Sequence, residues 1–287
     1  MIVHLIDGTY ELFRHFYGIR RAQKGDPPFG AVRGVLHMML QMVETGATHI
    51  GVATDHIIES FRNELWSGYK TGAGIEPALW RQFHPLEEAL TAMGVAVWPM
   101  IELEADDALA SAAMLAAADR SVEKVCIWTP DKDLAQCVVE DRVVQVDRKS
   151  GAVRDAAGVQ KKFGVLPESI PDYLALVGDA ADGYPGIRGF GRKTAAAVLS
   201  RFAHIEGIPI DSVKRRGALN AEQRQLALLF RTLATLRDDA PLFDSVERLR
   251  WTGPTASFRD YAMRIDAPEL IERAERLTPA VSGHVVR

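Results

Sequence analysis

The sequence predicts an α/β protein, a mostly parallel sheet flanked by helices, followed by a smaller helical module. Three observations carry this. Short apolar runs alternate with amphipathic or Ala-rich stretches from Ile2 to Thr129. Three of those runs end in aspartate. From about Pro167 the texture changes to a glycine-punctuated turn between two helical stretches. Strand–helix alternation is the mark of a parallel sheet covered on both faces.

The elements follow in order. Ile2 to Ile6 is a short apolar run closed by Asp7-Gly8, a buried-strand pattern. Residues 30–45 place Val32, Val35, Leu36, Met39, Leu40 and Val43 on one helical face, and Gly46 ends the helix. His49 to Asp55 is a second strand. Residues 57–82 are irregular and carry Arg62, Lys70 and Arg81 among Phe61, Trp66, Tyr69 and Trp80. Residues 83–93 read as a helix and 95–98 as a strand. Ala108 to Ala118 is rich in the strongest helix former. Lys124 to Thr129 is a strand leading to Asp131-Lys132-Asp133. Residues 221–236 form a helix with Leu226, Leu229, Phe230 and Leu233 inward. Residues 241–251 are expected to return to the sheet as a strand, 266–277 to form a last helix, and the final ten residues to fray.

The 287 residues suffice for one large core, or one core plus a smaller module. Apolar and charged contents of 47% and 25% are those of a soluble globular protein. Met1 to Asp7 lacks a basic segment and a long apolar stretch, so it is not read as a signal peptide. No apolar run has membrane-spanning length, and no membrane partner is expected. Cys126 and Cys137 lack a metal-type spacing, and Cys126 reads as a buried small hydrophobe. A cytoplasmic location follows. The net charge of −4 does not advertise a nucleic-acid partner. If many acids are gathered in one site, however, the remaining surface is more basic than the sum.

Glu104, Asp106 and Asp107 stand where a polar turn enters the Ala-rich helix. Carboxylates at such a place commonly cap free N–H groups and complement the dipole. Asp7, Asp55 and the Asp131/Asp133 pair change the balance, because all fall at the carboxyl ends of strands, where parallel sheets gather functional groups. Several unpaired carboxylates converging there repel one another unless protonated or metal-bound. The pattern therefore predicts a divalent-metal site.

Asp179 and Asp182 lead into Gly183-Tyr184-Pro185-Gly186-Ile187-Arg188-Gly189-Phe190-Gly191-Arg192-Lys193-Thr194, and a helix begins there. This is a helix-hairpin-helix pattern. Its backbone N–H groups can hold a phosphate, and Arg188, Arg192 and Lys193 add positive charge. Gly186 and Gly191 mimic the spacing of a nucleotide-binding P-loop. Arg192 nevertheless intervenes before Lys193-Thr194, and no apolar strand enters the turn, so that motif is not met.

At this point the ordered motifs are specific. Ile6-Asp7-Gly8, Thr54-Asp55, Ser60-Phe61-Arg62, Gly68-Tyr69-Lys70, Glu104-Ala105-Asp106-Asp107 and Thr129-Pro130-Asp131-Lys132-Asp133-Leu134 run in sequence. The Asp179 to Ala195 segment completes the set. The chain resembles the 5′-nuclease family, which includes the 5′→3′ exonuclease domain of bacterial DNA polymerase I and the flap endonucleases. The resemblance implies a PIN-like α/β core over residues 1–165 with a helical arch at about 57–82. A helix-hairpin-helix module and C-terminal return segment would occupy 166–287.

In family terms two Mg²⁺ or Mn²⁺ ions serve one active site. Asp7, Asp55, Glu104, Asp106 and Asp107 would surround the first, and Asp131, Asp133, Asp179 and Asp182 the second. Arg62 and Lys70 would draw the scissile phosphate inward. Phe61, Trp66, Tyr69 and Trp80 would either stack bases or pack in the core. Arg188, Gly189, Gly191, Arg192, Lys193 and Thr194 would contact DNA, with a K⁺ site at the hairpin. The implied partner is DNA with a 5′ flap, nick or 5′ end, an RNA primer in a hybrid being a further candidate. The implied protein is a monomer in the bacterial cytoplasm, at the nucleoid.

Two departures stand out. Lys70 is followed by Thr71-Gly72-Ala73-Gly74, where many relatives carry an Arg, and Ala181 and Gly183 replace a frequent Ser and Asn. No polymerase domain follows, so a stand-alone nuclease or a fragment is expected. A non-catalytic DNA-junction binder and a PIN-type ribonuclease are the alternative readings.

Overall fold

The computed structural model describes residues 1–23, 27–210 and 217–278. The strands are β1 (Ile2–Asp7), β2 (His49–Asp55), β3 (Ala96–Met100), β4 (Lys124–Trp128), β5 (Val143–Val146) and β6 (Val153–Arg154). The helices of the first half are α1 (Gly8–Gln23), α2 (Gly30–Glu44), α3 (Arg62–Leu65), α4 (Pro77–Trp80), α5 (Phe83–Ala92) and α6 (Ala105–Ala118). Those of the second half are α7 (Ala156–Phe163), α8 (Ile170–Val177), α9 (Arg192–Phe202), α10 (Ala221–Ala234), α11 (Phe258–Arg264) and α12 (Glu269–Leu277).

The sheet order is β3-β2-β1-β4-β5-β6. β1 to β5 pair in parallel, and β6 is antiparallel to β5. The chain leaves β1 first toward β2 and later returns to its other side as β4. The β1/β4 junction is therefore the switch point at which open α/β sheets form their crevice. Register sets the depth of each acid: Asp7 lies level with Ala53, and Ile6 with Trp128. Asp55 ends β2 two residues beyond that level.

One sheet face carries Ile6, Ile50 and Val52 against α1, α2 and α5. The other carries Val3, Leu5 and Ala53 against α6. Ala108, Ala112 and Ala116 of α6 are fully buried. Such small side chains let the helix axis, and with it the acidic N-terminus, approach the strand ends closely. A separate core under α8, α9 and α10 is built on Leu174, Leu176, Leu199 and Phe230.

The expected helices over 30–45, 83–93, 108–118, 221–236 and 266–277 are present within a few residues of their limits. α1 was not expected: it buries only a thin stripe, led by Leu12 and Phe16, among arginines. The strand expected over 241–251 is absent. Residues 246–249 form a 3-10 turn, and one antiparallel bridge, His49 to Arg250, is the segment's only strand-type pairing among the described residues, although Val246 and Leu249 pack against the sheet. Pro241 and the charged residues 244, 247, 248 and 250 leave no alternating apolar run to sustain a strand. The fraying expected for the last ten residues falls almost entirely on residues 279–287, outside those described.

The chain after Trp251 returns to the first core. Trp251 donates its indole N–H to the Met93 carbonyl (2.8 Å), and Thr255 donates its N–H to Ala92 (2.9 Å). Phe258, Ile265 and Leu270 then pack with α2 and α5. Trp251→Ala should lower unfolding stability by about 3–5 kcal/mol, measurable by urea denaturation. A loss below 1 kcal/mol would show that the C-terminal segment does not stabilise the core.

Candidate active site

The three acids at the N-terminus of α6 do not share one role. Asp106 faces the strand ends. Asp107 is fully buried and accepts two N–H groups of Arg62 (2.8 and 2.7 Å), the Glu104 N–H (2.9 Å) and the Arg237 N–H (2.8 Å). Four donors fill the lone-pair directions of a carboxylate, leaving none for a cation. The bond to Glu104 is the return half of a capping box. Glu104 in turn accepts the Ser60 hydroxyl (2.7 Å), Arg62 (3.1 Å) and the Lys70 ammonium (2.7 Å). Burial would raise its pKa, but Lys70 and Arg62 outweigh burial and hold it below the usual carboxylate range. Asp107, expected among the acids around the first metal, serves in this structure as a cap and an anchor.

Arg62 is the other half of that anchor. It is not a phosphate-facing cation, because its side chain is buried. Its Nε and two amino nitrogens donate five bonds, to Glu104, twice to Asp107, and to the Leu233 and Thr235 carbonyls. That uses the whole guanidinium fork. The reason lies in α3, whose first residue turns inward beneath the N-terminus of α6.

The remaining acids converge. Asp7 is buried and accepts the Tyr10 N–H (2.8 Å) and the Thr129 hydroxyl (3.1 Å). Asp55 accepts the Ala105 N–H (2.8 Å) at the start of α6. Burial, opposed by the Tyr10 N–H and reinforced by Asp55 and Asp131, pushes Asp7 up to about 7. Burial and then Asp131 and Asp7 push Asp106 well above its ordinary value. Asp131 is exposed, accepts the Asp133 N–H (2.9 Å), and borders both halves of the acid cluster.

Asp133, Asp179 and Asp182 each offer an oxygen lying within 4.8 Å of the others. Asp133 Oδ1 is buried without a partner. Burial, Asp131 and Asp182 raise the Asp133 pKa. A buried orphan oxygen in a crowd of like charges, all of them hard oxygen donors, fits a divalent cation such as Mg²⁺ or Mn²⁺.

Two lysines reach into this cluster. Lys70 Nζ pairs with Glu104 (2.7 Å) and Asp182 (3.2 Å). Burial works against its charge, but Glu104 and Asp182 outweigh it and raise its pKa. Lys132 pairs with Asp179. Its position between two acids in the sequence was visible, but nothing there assigned it a role. Tyr184, buried beside the same acids with an unpartnered hydroxyl, was likewise missed.

Residues 57–82 do not form the expected helical arch. They contain α3 and α4, four residues each, joined by loops. Gly68, Gly72 and Gly74 interrupt the middle of the segment, and Pro77 opens the short α4. Of the aromatic residues, Tyr69 is buried, Trp66 packs edge-on against Phe230 (5.2 Å), and Trp80 is exposed.

In the hairpin, Gly178 and Gly186 approach so closely that a Cβ on either would lie 2.4 Å from backbone of the opposite side. Both also have positive φ. This folds α8 back toward α9, whose N-cap, Gly191, offers no side-chain cap. The first-turn N–H groups therefore face solvent, beside exposed Arg188, Gly189, Arg192 and Lys193 and half-buried Thr194. A cleft of about 930 Å³ lies where this module meets the acids, lined by Tyr10, Asp131, Lys132, Lys162, Asp179 and Arg192 among others.

An acid-lined switch point coupled to a helix-hairpin-helix module is the architecture of a nuclease. Family models agree over nearly the whole chain: "5'-3' exonuclease, N-terminal resolvase-like domain" matches residues 2–164, and "5'-3' exonuclease, C-terminal SAM fold" matches residues 165–257. The chain belongs to the 5′-3′ exonuclease family, as its motifs implied. The 5′-3′ exonuclease of Buchnera aphidicola subsp. Baizongia pistaciae is 31% identical over 87% of this chain and 86% of its own length. DNA polymerase I of Pseudomonas aeruginosa is 35% identical over 85% of this chain, which spans only 28% of that polymerase.

Among solved structures, the T5 D15 protein co-crystallised with metal ions superposes with a TM-score of 0.67. It is 16% identical, over 96% of this chain and all of the other. The catalytic core of Rad2 in complex with DNA gives 0.61 at 13% identity, over 96% and 91%. These likenesses establish the fold, a PIN-like core with a SAM-like module. Among the described residues no helix is long and apolar enough to cross a membrane.

Two predictions test the division of labour. Arg62→Met leaves Asp107 buried without its cation and should cost about 3–5 kcal/mol, read by denaturant unfolding. An unchanged midpoint would return Arg62 to the surface role. Asp7→Asn should act in the opposite direction on metal-free protein. The folded Asp7 carboxyl keeps its proton up to about pH 7, whereas the unfolded one loses it near 3.8. The penalty of the wild-type carboxylate therefore begins near pH 3.8, grows to pH 7 and stays constant above. At pH 8 in EDTA the Asn variant should be the more stable, by roughly 4 kcal/mol, with the difference vanishing near pH 4.

Proposed function

We propose that the chain is a divalent-metal-dependent 5′ nuclease that hydrolyses DNA phosphodiesters at 5′ ends and 5′ flaps, leaving a 5′-phosphate and a 3′-hydroxyl. The observation that carries this reading is the convergence of Asp7, Asp55, Asp106, Asp131, Asp133, Asp179 and Asp182 on the switch point, opposite Lys70 and beside an exposed hairpin. Asp7, Asp55 and Asp106 would hold one ion, with Asp131 between the sites; Asp133, Asp179 and Asp182 would hold the other. When bound, two such ions activate a water and stabilise the charge developing on the phosphate and leaving oxygen.

The chain's own residues supply the rest. Lys70 sits 2.7 Å from Glu104 and 3.2 Å from Asp182, so a phosphate brought to cations held by the acids would enter the reach of its ammonium. Glu104 keeps that ammonium charged and aimed. The free N–H groups at the start of α9, with Arg188, Gly189, Gly191, Arg192, Lys193 and Thr194, suit the backbone of a duplex, and a K⁺ ion could share that turn. Exposed Trp80 is available for stacking on an unpaired base. Binding at a nick, or to an RNA primer in a hybrid, by a cytoplasmic monomer is consistent with this surface.

The test is a labelled 5′-flap DNA incubated with Mg²⁺, with EDTA and Asp106→Ala as controls. Wild-type protein should release the flap. Lys70→Ala should lower kcat by about 10²–10³-fold, the scale of a lost charge-stabilising donor, while flap binding in Ca²⁺ changes little. Cleavage no greater than that of Asp106→Ala would refute the enzyme assignment and leave a junction-binding protein.

A further inference from the structure

We propose that Lys132 is a built-in counter-cation of the second group of acids, which a divalent metal must displace to bind there. The proposal rests on the two-metal reading above. Asp133, Asp179 and Asp182 bring three carboxylates within 4.8 Å, and two of them are already served by lysines of the chain. Lys70 pairs with Asp182 and Lys132 with Asp179. Asp133 Oδ1 has no partner. Without these ammonium groups the cluster would carry uncompensated buried charge, which is costly.

The two lysines are not equivalent. Lys70 is divided between Glu104 and Asp182, and its backbone N–H is bound to the Asp182 carbonyl (3.0 Å). Lys132 has only Asp179 as an ion-pair partner among the described residues. Its side chain is 34% exposed on the wall of the 930 Å³ cleft. Its four-carbon stem can therefore withdraw into solvent when Asp179 turns to a metal, at small conformational cost. As an ammonium paired with Asp179, the lysine competes directly with a metal for that carboxylate. Metal affinity at Asp133, Asp179 and Asp182 is reduced by the free energy of the Lys132–Asp179 pair.

This assignment differs in sign from a plain phosphate contact. Removing a lysine that only touches DNA weakens DNA binding and leaves metal binding alone. Removing a competing cation tightens metal binding in the absence of any DNA. The experiment is a Mn²⁺ titration followed by electron paramagnetic resonance, on wild type, Lys132→Met and Lys132→Arg without nucleic acid. Thermal unfolding of each protein in EDTA accompanies it.

Lys132→Met should bind the weaker Mn²⁺ about tenfold more tightly, the factor that ~1.4 kcal/mol represents. Its metal-free form should melt lower than wild type, and Lys132→Arg should stay close to wild type in both respects. A second Mn²⁺ detected only in Lys132→Met also supports the proposal. Unchanged or weaker Mn²⁺ binding by Lys132→Met overturns it. Asp179→Asn separates the two levels: if it costs a Mn²⁺ site, only the counter-cation assignment has failed, and if it costs none, the two-metal reading fails too.

Discussion

The buried Arg62 guanidinium is the interaction on which the remaining geometry depends. It joins three parts of the chain that are distant in sequence: the start of α3, the acidic N-terminus of α6, and the carbonyls of Leu233 and Thr235 at the end of α10. α6 belongs to the sheet domain and α10 to the helical module. One planar fork therefore fixes the module against the sheet and sets the rotation of α6. That rotation turns Asp107 inward and leaves Asp106 at the strand ends. An ion pair this deeply buried is poor evidence for stability gained over an apolar substitute. Its value is geometric, since five directional bonds admit one arrangement.

The acids themselves work against folding. Asp7, Asp106 and Asp133 all have raised pKa values, with burial the first cause and neighbouring carboxylates adding to it. The structure answers with local donors. Tyr10 N–H and Thr129 Oγ1 serve Asp7, Ala105 N–H serves Asp55, and Ala181 N–H serves Asp179. Each lies one to three residues from a ligand-type acid or in the next strand, so the support is supplied by the turns that end the strands. What those donors do not neutralise is left for Lys70 and Lys132. Stability withheld at this edge is the usual consequence of assembling like charges for catalysis.

Most of the sheet was legible because β1, β2 and β4 are short apolar runs bounded by polar turns, and the neighbouring α6 is rich in alanine. The strand-end acids were legible for the same reason: a strand that stops at an aspartate shows where the side chain must emerge. What periodicity could not show was the use of identical side chains for different ends. Asp106 and Asp107 are adjacent and chemically equal, and only the position of Arg62, 45 residues earlier, decides which of them is saturated. α1 escaped because its apolar stripe is thin, and β5 and β6 because they are short. The arch was expected from family likeness, and the glycines that prevent it were already in view as a departure.

Those departures have a physical counterpart in the way the loop before α4 meets the hairpin. Gly183 has φ +82°, and a Cβ there would lie 1.9 Å from the Gly68 carbonyl. The segment from Trp66 to Lys70 thus rests directly on the backbone between Asp182 and Tyr184. Trp66 donates its indole N–H to the Gly183 carbonyl (3.1 Å), and Lys70 donates its backbone N–H to Asp182 (3.0 Å). Asn at position 183 would require this contact to open, because no side chain fits between two backbones at that distance. Glycine at 183 therefore couples the placement of Lys70 to that of Asp182. Lys70 and Asp182 are held on one seam, and the short loop before α4 needs no helix of its own to place Lys70.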